Sequence, residues 1–303
     1  MSNCACQNIA SVEFSQRLIT LADLRQKCPA LSQILIPDSI WPQVQAFESS
    51  PRDAALHAPS TIIALLNGNL GKLTSPLHRF LLDGDKLKGN LSNQYKADLK
   101  EQWMFEKDEI ERHRKSKMFQ GRIVELQIAE WLEDQNWQIT GLEALGSRSD
   151  IEGVRPLSTV ASVEVKFIGQ RDEEFEQVVR SLTGLPGGGV GPTHLACNFL
   201  LFRAYEAAYQ LHKNASYGIA IMAIDSLAWT FLHIPLKYKW VNWQKPEFYN
   251  LGNKWDSFID RERQLRYHSI DSDLTKIINT LKELWIVVRG NDYTYSTHFH
   301  YLF

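Results

Sequence analysis

The sequence is short of cysteine, of net charge and of long apolar runs, and each shortage removes a class of protein. Four cysteines stand among 303 residues, with Cys4 and Cys6 near the amino end and Cys28 and Cys197 alone. No C-x-x-C pair suggests zinc, and reduced thiols in the cytoplasm are predicted rather than a disulfide framework. The opening MSNCACQNIASVEFSQ has neither a basic start nor the apolar run of about 7–15 residues that a secretory signal needs. The one stretch resembling a membrane span, Tyr217 to Leu236, is interrupted by Asp225, Ser226 and His233, so a strand running into a buried helix is expected and no membrane partner. Lys and Arg number 33 against 35 Asp and Glu, a formal charge of −2. That balance excludes a globally basic nucleic-acid coat and permits a local basic cleft. No repeat or low-complexity tract occurs, which excludes solenoids and propellers. What remains, 44% hydrophobic and 22% charged, is an ordinary globular chain that can bury about three quarters of its unfolded surface without staples.

Residues 1–110 read as a mostly helical region: LITLADLRQ, STIIALLNG and PLHRFLLDG carry apolar residues at helical spacing, with Asn67-Gly68 and Asp83-Gly84 as stops. From Arg112 the texture changes. A helix to about Asp134 precedes the extended run WQITGLEAL, the turn GSRSD, a short strand DIEGV and the strand VASVEVKFIG. A helix DEEFEQVVRSL, the glycine-rich GLPGGGVGP, a long helix from about His194 to His212 and the strand SYGIAIMAID follow. The order αβββαβ predicts an α/β or α+β domain over 111–303, a sheet layered with helices. Residues 237–282 form an aromatic-rich insertion, and LWIVVRG and YTYSTHFHY read as a closing hairpin around Gly290-Asn291-Asp292.

On the strand 162–168, Val163, Val165 and Phe167 point one way while Ser162, Glu164 and Lys166 point the other. A lone ExK is ordinary for a solvated face, as Asp98-Leu99-Lys100 is in polar helical sequence. Asp150 distinguishes the second case, because a hairpin return brings it beside Glu164. Two carboxylates at the ends of adjacent strands suit Mg²⁺, which takes one or two carboxylates plus water and phosphate oxygens. A structural ion-pair cluster is the alternative. On the helix GRIVELQIAEWLEDQ, Gln127, Glu130 and Asp134 share a polar stripe, whereas Glu125 falls among Ile128, Ala129 and Leu132. Glu125 is therefore expected buried and protonated, ion-paired or facing a metal or a wet cleft; Glu130 and Glu133 are expected to be solvated.

Glu125 in GRIVELQIAEWL, Asp150 in RSDIEGV and Glu164-Val165-Lys166 in SVEVKFIG together resemble the PD-(D/E)XK nuclease superfamily, over roughly residues 118–183. The proline that the family carries before its Asp is replaced by Ser149. The resemblance implies a restriction-endonuclease-like core with a central mixed sheet flanked by helices. It further implies that Asp150, Glu164, the carbonyl of Val165 and Glu125 bind Mg²⁺, or Mn²⁺ in its place, with Lys166 positioning or activating water. Gln170 matches a glutamine of some branches. DNA, rather than RNA, is the expected substrate, and a homodimer is one expectation for double-strand cutting.

Charge supports a polyanion: Arg112, Arg114, Lys115, Lys117 and Arg122 fall in eleven residues without an acid. With Arg148 in the turn before Asp150, Arg114, Lys115, Lys117 and Arg122 are candidates for phosphate-backbone contacts, and a solvated helix face is the alternative. KYKWVNWQKPEFYNLGNKW interleaves lysines with rings on which bases could stack, or which could pack a lobe or an interface. His298 and His300 share a strand face as a packed or surface pair, with no third metal ligand identifiable. A module that keeps the fold and binds nucleic acid or a partner without hydrolysis also stays open, as does an unrelated protein with an accidental ExK.

Overall fold

The computed structural model describes residues 83–103, 108–143, 149–157, 159–169, 191–211, 217–243, 281–290 and 294–303, with the isolated positions 26 and 29. Most of the expected N-terminal helices, the helix at 172–182, residues 184–190 of the glycine-rich stretch, most of the aromatic-rich insertion, and Cys4, Cys6 and Cys28 lie outside these residues. The chain divides into two compact units, Met1–Asp134 with Gly141–Leu145, and Gln135–Thr140 with Gly146–Phe303.

In the first unit the helices α1, Asn93–Trp103, and α2, Glu109–Asp134, pack on one another. Each starts at a residue able to satisfy an orphan amide: Ser92 Oγ accepts from Tyr95 N–H at 2.9 Å, and Asp108 Oδ1 from Glu111 N–H at 2.8 Å. The Asp108 cap is why α2 begins earlier than its apolar periodicity suggests. Past its end, Asn136 takes a φ of 63°, a left-handed conformation that asparagine tolerates better than most residues. Asp83-Gly84 does not stop its helix, which continues through Lys86 with Leu87 N–H bonded to the Asp83 carbonyl at 3.1 Å. Glu130 is not solvated either. It is 7% exposed and pairs with Lys86, a partner that helical periodicity could not reveal. Burial and the charge of Glu130 raise the pKa of Glu133.

A six-stranded mixed sheet runs in sequence order from β1, Gln138–Leu142, through β2, Ile151–Val154, β3, Val160–Ile168, β4, Gly218–Asp225, and β5, Glu283–Arg289, to β6, Tyr295–Leu302; β2 to β6 and residues 138–140 of β1 belong to the second unit. The three middle strands run parallel, whereas β2–β3 and β5–β6 pair antiparallel, the latter as the hairpin foreseen from sequence. β4 is buried from Gly218 to Ile224, which is why GIAIMAI reads as a continuous apolar run instead of an alternating one. The parallel connections use helices: α3, Gly191–Leu211, between β3 and β4, and α4, Ser226–Lys237, directly after β4. Asp225 caps α4 by accepting the Ala228 amide at 2.7 Å. Gly191 and Pro192, expected in a loop, already belong to α3.

One face of the sheet forms the main core. Ala220, Met222 and Ile224 of β4 and Leu284 and Ile286 of β5 pack with Phe199, Leu200 and Tyr205 of α3 and Leu232 of α4. Cys197 lies in this core as a free thiol whose pKa burial raises to about 11. On β2, Gly153 permits the close passage of β1, since a Cβ there would stand 3.2 Å from the Gln138 carbonyl and 3.3 Å from the Trp137 ring. Among the described residues no helix is long and apolar enough to cross a membrane.

The opposite face is organised on Glu283 at the start of β5. Its carboxylate, 2% exposed, receives Tyr217 Oη at 2.5 Å and Trp285 Nε1 at 2.7 Å, pairs with Arg155, and has His300 Nε2 at 2.7 Å. His298 packs on the Trp229 ring, centroids 4.7 Å apart, so the two histidines make separate contacts. Burial acts to raise the Glu283 pKa; the hydrogen bonds from Tyr217, Trp285 and Arg155, with the charge of Arg155, outweigh it and hold the pKa below the ordinary carboxylate value. A depressed folded-state pKa means stability that is present above the unfolded value and lost as pH falls through the folded one. Glu283→Ala is therefore expected to destabilise the protein by about 3–5 kcal/mol at neutral pH, since it orphans several buried donors. In urea titrations the gap to wild type should narrow below the ordinary pKa of 4.5; a gap unchanged from neutral pH into acid would show that the carboxylate charge is not what holds this face together.

Candidate functional site

The β2–β3 register decides whether Asp150 and Glu164 meet. Ile151 pairs with Val163 in an antiparallel ladder, so Asp150, one residue earlier, comes opposite Glu164, one residue later. Asp150 Oδ2 accepts the Val165 amide hydrogen at 2.7 Å, which ties the carboxylate to the edge of β3. Glu164 is 1% exposed, far more buried than an acid on a solvated strand face. In the parallel ladder it lies beside Ala220, and Lys166 lies beside Met222, so both side chains stand on the sheet face that α3 covers.

From Lys166, Nζ donates to Glu164 Oε1 at 2.8 Å and to Gln210 Oε1 on α3. Its side chain keeps 18% of its surface exposed. Burial works to lower the Lys166 pKa, and the charges of Glu164, Glu206 and Asp150 outweigh it, so that it lies above the ordinary lysine value. Glu206, itself buried, is paired with Arg203 at 2.6 Å. Arg203, Glu206 and Gln210 are spaced three and four apart and therefore occupy one stripe of α3. Neither Glu206 nor Gln210 stands out in the sequence. The only signal was spacing: a polar stripe on a helix whose neighbouring Ala204, Tyr205, Ala207 and Ala208 are buried.

Asp150, Glu164 and Lys166 are thus gathered as the sequence suggests, and Val165 joins them through its amide. Carboxylate oxygens of this kind are hard donors that suit Mg²⁺. Among the described residues no group of three or more His, Cys, Asp or Glu is placed to hold a metal ion. Asp150 and Glu164 offer two carboxylates, and Mg²⁺ is an ion that takes one or two and completes its shell with water and phosphate oxygens.

Glu125 belongs to the other compact unit. Rather than fully buried it is 13% exposed, and its ion-pair partner is Arg122 Nη1 at 2.9 Å. Arg122 also pairs with Asp98 at 3.0 Å and with Glu143, and its guanidinium lies 5.2 Å from the centre of the Tyr95 ring. Tyr95 Oη donates to the Arg122 carbonyl at 2.8 Å. Burial would lower the Arg122 pKa; the charges of Glu125 and Glu143 raise it above the ordinary arginine value instead. A phosphate reaching this guanidinium would have to displace carboxylates already in place. Of the other basic candidates, Arg114 is exposed and bonded through Nε to Glu111 at 2.8 Å, and Lys115 is half-buried. The Lys117 side chain, Arg148 and Gln170 lie outside the described residues.

Compared with protein-family models, with curated proteins and with solved structures, the chain matches none.

Arg122→Met should lower stability by on the order of 2–3 kcal/mol, because Asp98, Glu125 and Glu143 would be left facing one another without a cation. The expected cost is below that of orphaning fully buried charges, since Glu143 keeps 26% of its surface exposed. Chemical denaturation measures it; wild-type stability in the variant would return Arg122 to the set of free phosphate contacts.

Proposed function

We propose that the chain is a Mg²⁺-dependent nuclease that hydrolyses phosphodiester bonds in DNA on a restriction-endonuclease-like core. The adjacency of Asp150, Glu164 and Lys166 carries this reading. Asp150, just before β2, and Glu164 and Lys166, both on β3, bring two hard carboxylates and one cation together. The element order α2-β1-β2-β3-α3-β4 supports it, being the αβββαβ succession of that core, as does the burial of the acid Glu164 on β3.

Asp150 and Glu164 would hold the ion. When bound, such an ion polarises the phosphoryl group, acidifies a water and neutralises the leaving oxygen. The chain's own residues do the rest. Val165 fixes Asp150 through its amide, and Glu164 and Gln210 hold Lys166 from two sides. Lys166 supplies a fixed cation able to face a phosphate oxygen or to orient the attacking water. Glu125 stands in the other unit, paired with Arg122, and is not needed for two-carboxylate chemistry. Arg114 and Lys115 on α2 remain candidates for backbone phosphate contacts.

Purified protein with Mg²⁺ should nick or degrade DNA, and EDTA should stop it. Asp150→Asn keeps an oxygen for the Val165 amide while removing the charge, and Lys166→Gln keeps much of the side-chain volume. Each should slow cleavage roughly a hundredfold or more with little change in circular dichroism or Tm. Wild-type rates in both variants would remove the assignment of the site. A wild-type protein that binds DNA but cuts it with no divalent ion would leave a binding module instead.

A further inference from the structure

We infer that the turn ending α4 is a stacking platform for the bases of a single-stranded nucleic acid. Helix α4 closes in a Schellman arrangement: Trp240 N–H bonds to the Pro235 carbonyl at 2.9 Å and Lys239 N–H to the Leu236 carbonyl at 3.2 Å, while Tyr238 N–H reaches the Ile234 carbonyl at 3.0 Å. These three bonds hold Tyr238 and Trp240 side by side. Their rings are stacked, with centroids 5.6 Å apart and planes 25° from parallel. They are nonetheless 59% and 42% exposed, whereas Trp243, three residues on, is 5% exposed and packs on Tyr301. Packing accounts for Trp243, while Tyr238 and Trp240 keep much of their ring surface in solvent.

Lys239 provides the second, independent observation. It occupies the left-handed position of the cap with a φ of 54°, where glycine fits at no steric cost and a side chain is strained. A lysine at this point weakens the cap and adds a cation to the chain between the two ring-bearing residues. Lys237 adds another, with Nζ 5.7 Å from the centre of the Tyr238 ring. From Ser226 to Pro246 the sequence contains no Asp or Glu and carries Lys237, Lys239 and Lys245. Rings that expose π-faces beside lysines, with no acid in reach along the segment, have the two components a single strand requires: a surface on which any base can stack, and cations for the phosphates between them. A duplex offers no unstacked base to such rings. Leu227 and Ile234 are also exposed on α4, which makes a lipid surface the rival occupant, and the experiment includes it.

The inference rests on the nuclease reading for the purpose of the strand, and the binding measurement is made in EDTA so that the two can fail separately. Fluorescence anisotropy of labelled oligothymidylate and oligouridylate, with a labelled duplex alongside, reads the affinity of the full chain. Tyr238→Ala with Trp240→Ala should weaken single-strand binding by about tenfold or more and duplex binding by less than about threefold. Tyr238→Phe with Trp240→Phe, which keeps two stacking faces, should restore most of the lost affinity. Lys239→Gly separates platform from scaffold. It should raise Tm by about a degree or two by relieving the left-handed strain, yet weaken binding about two- to threefold and flatten the salt dependence by roughly 0.7 in log–log slope. Unchanged single-strand affinity in the double alanine variant, or wild-type binding to anionic phosphatidylserine vesicles but not to either oligonucleotide, overturns the platform. Loss of cleavage in the Asp150 and Lys166 variants with oligonucleotide binding retained would leave both readings standing.

Discussion

One ammonium group holds the candidate site together. Lys166 on β3 meets Glu164 from its own strand, Gln210 from α3, and the charges of Asp150 from the start of β2 and Glu206 from α3. Without it, buried acids from separate elements would repel one another at the centre of the sheet, where the attraction between unlike charges is also strongest. Among the described residues three acids, Asp150, Glu164 and Glu206, face Lys166, and Arg203 pairs with Glu206. On the nuclease reading proposed above, a divalent cation held by the carboxylates would add positive charge where a phosphate has to approach.

The chain uses the same chemistry elsewhere to the opposite end. Arg122 also gathers three acids, from both helices of its unit and from Glu143, with a tyrosine ring against it. There the cation is enclosed by its partners and the network closes on itself. Glu283 is the inverse case, a buried carboxylate ringed by donors from the loop after β2, the residue before β4, β5 itself and β6. Arg122 and Glu283 are each met by protein groups of opposite sign or by donors.

Much of this architecture was legible in the sequence because it depends on periodicities of two and of 3.6. The strands β3 and β5, the buried run of β4, the body of α2 from Arg112 onward and the closing hairpin all follow from apolar spacing. The meeting of Asp150 with Glu164 was legible as well, since an antiparallel return fixes which residues face each other once the turn is recognised. What could not be read is whatever depends on contact between elements far apart in the chain. Glu130 looks like part of a solvated stripe until Lys86, 44 positions upstream, is brought to it. Glu206 and Gln210 look like an ordinary polar face of α3 until β3 places an ammonium beneath them. Glu283 reads as a charged strand terminus, and only the fold supplies its four partners. Glu125 was a mixed case: its conflict with the apolar side of α2 is real, and an arginine three residues away along the same helix resolves it.

Strain and exposure point the same way at the end of α4. A fold selected for stability alone would place glycine at the left-handed position of the cap, as helices commonly do. It would also turn a tyrosine and a tryptophan inward, as it does Trp243. At residues 238–240 it does neither. A lysine in the left-handed position and two partly exposed rings within three consecutive residues are the cation and the aromatic faces that the proposed single-strand platform would use. Nucleic-acid strands would engage both, with phosphates and bases alternating along one polymer at spacings that flexible lysine side chains and a fixed pair of rings can follow.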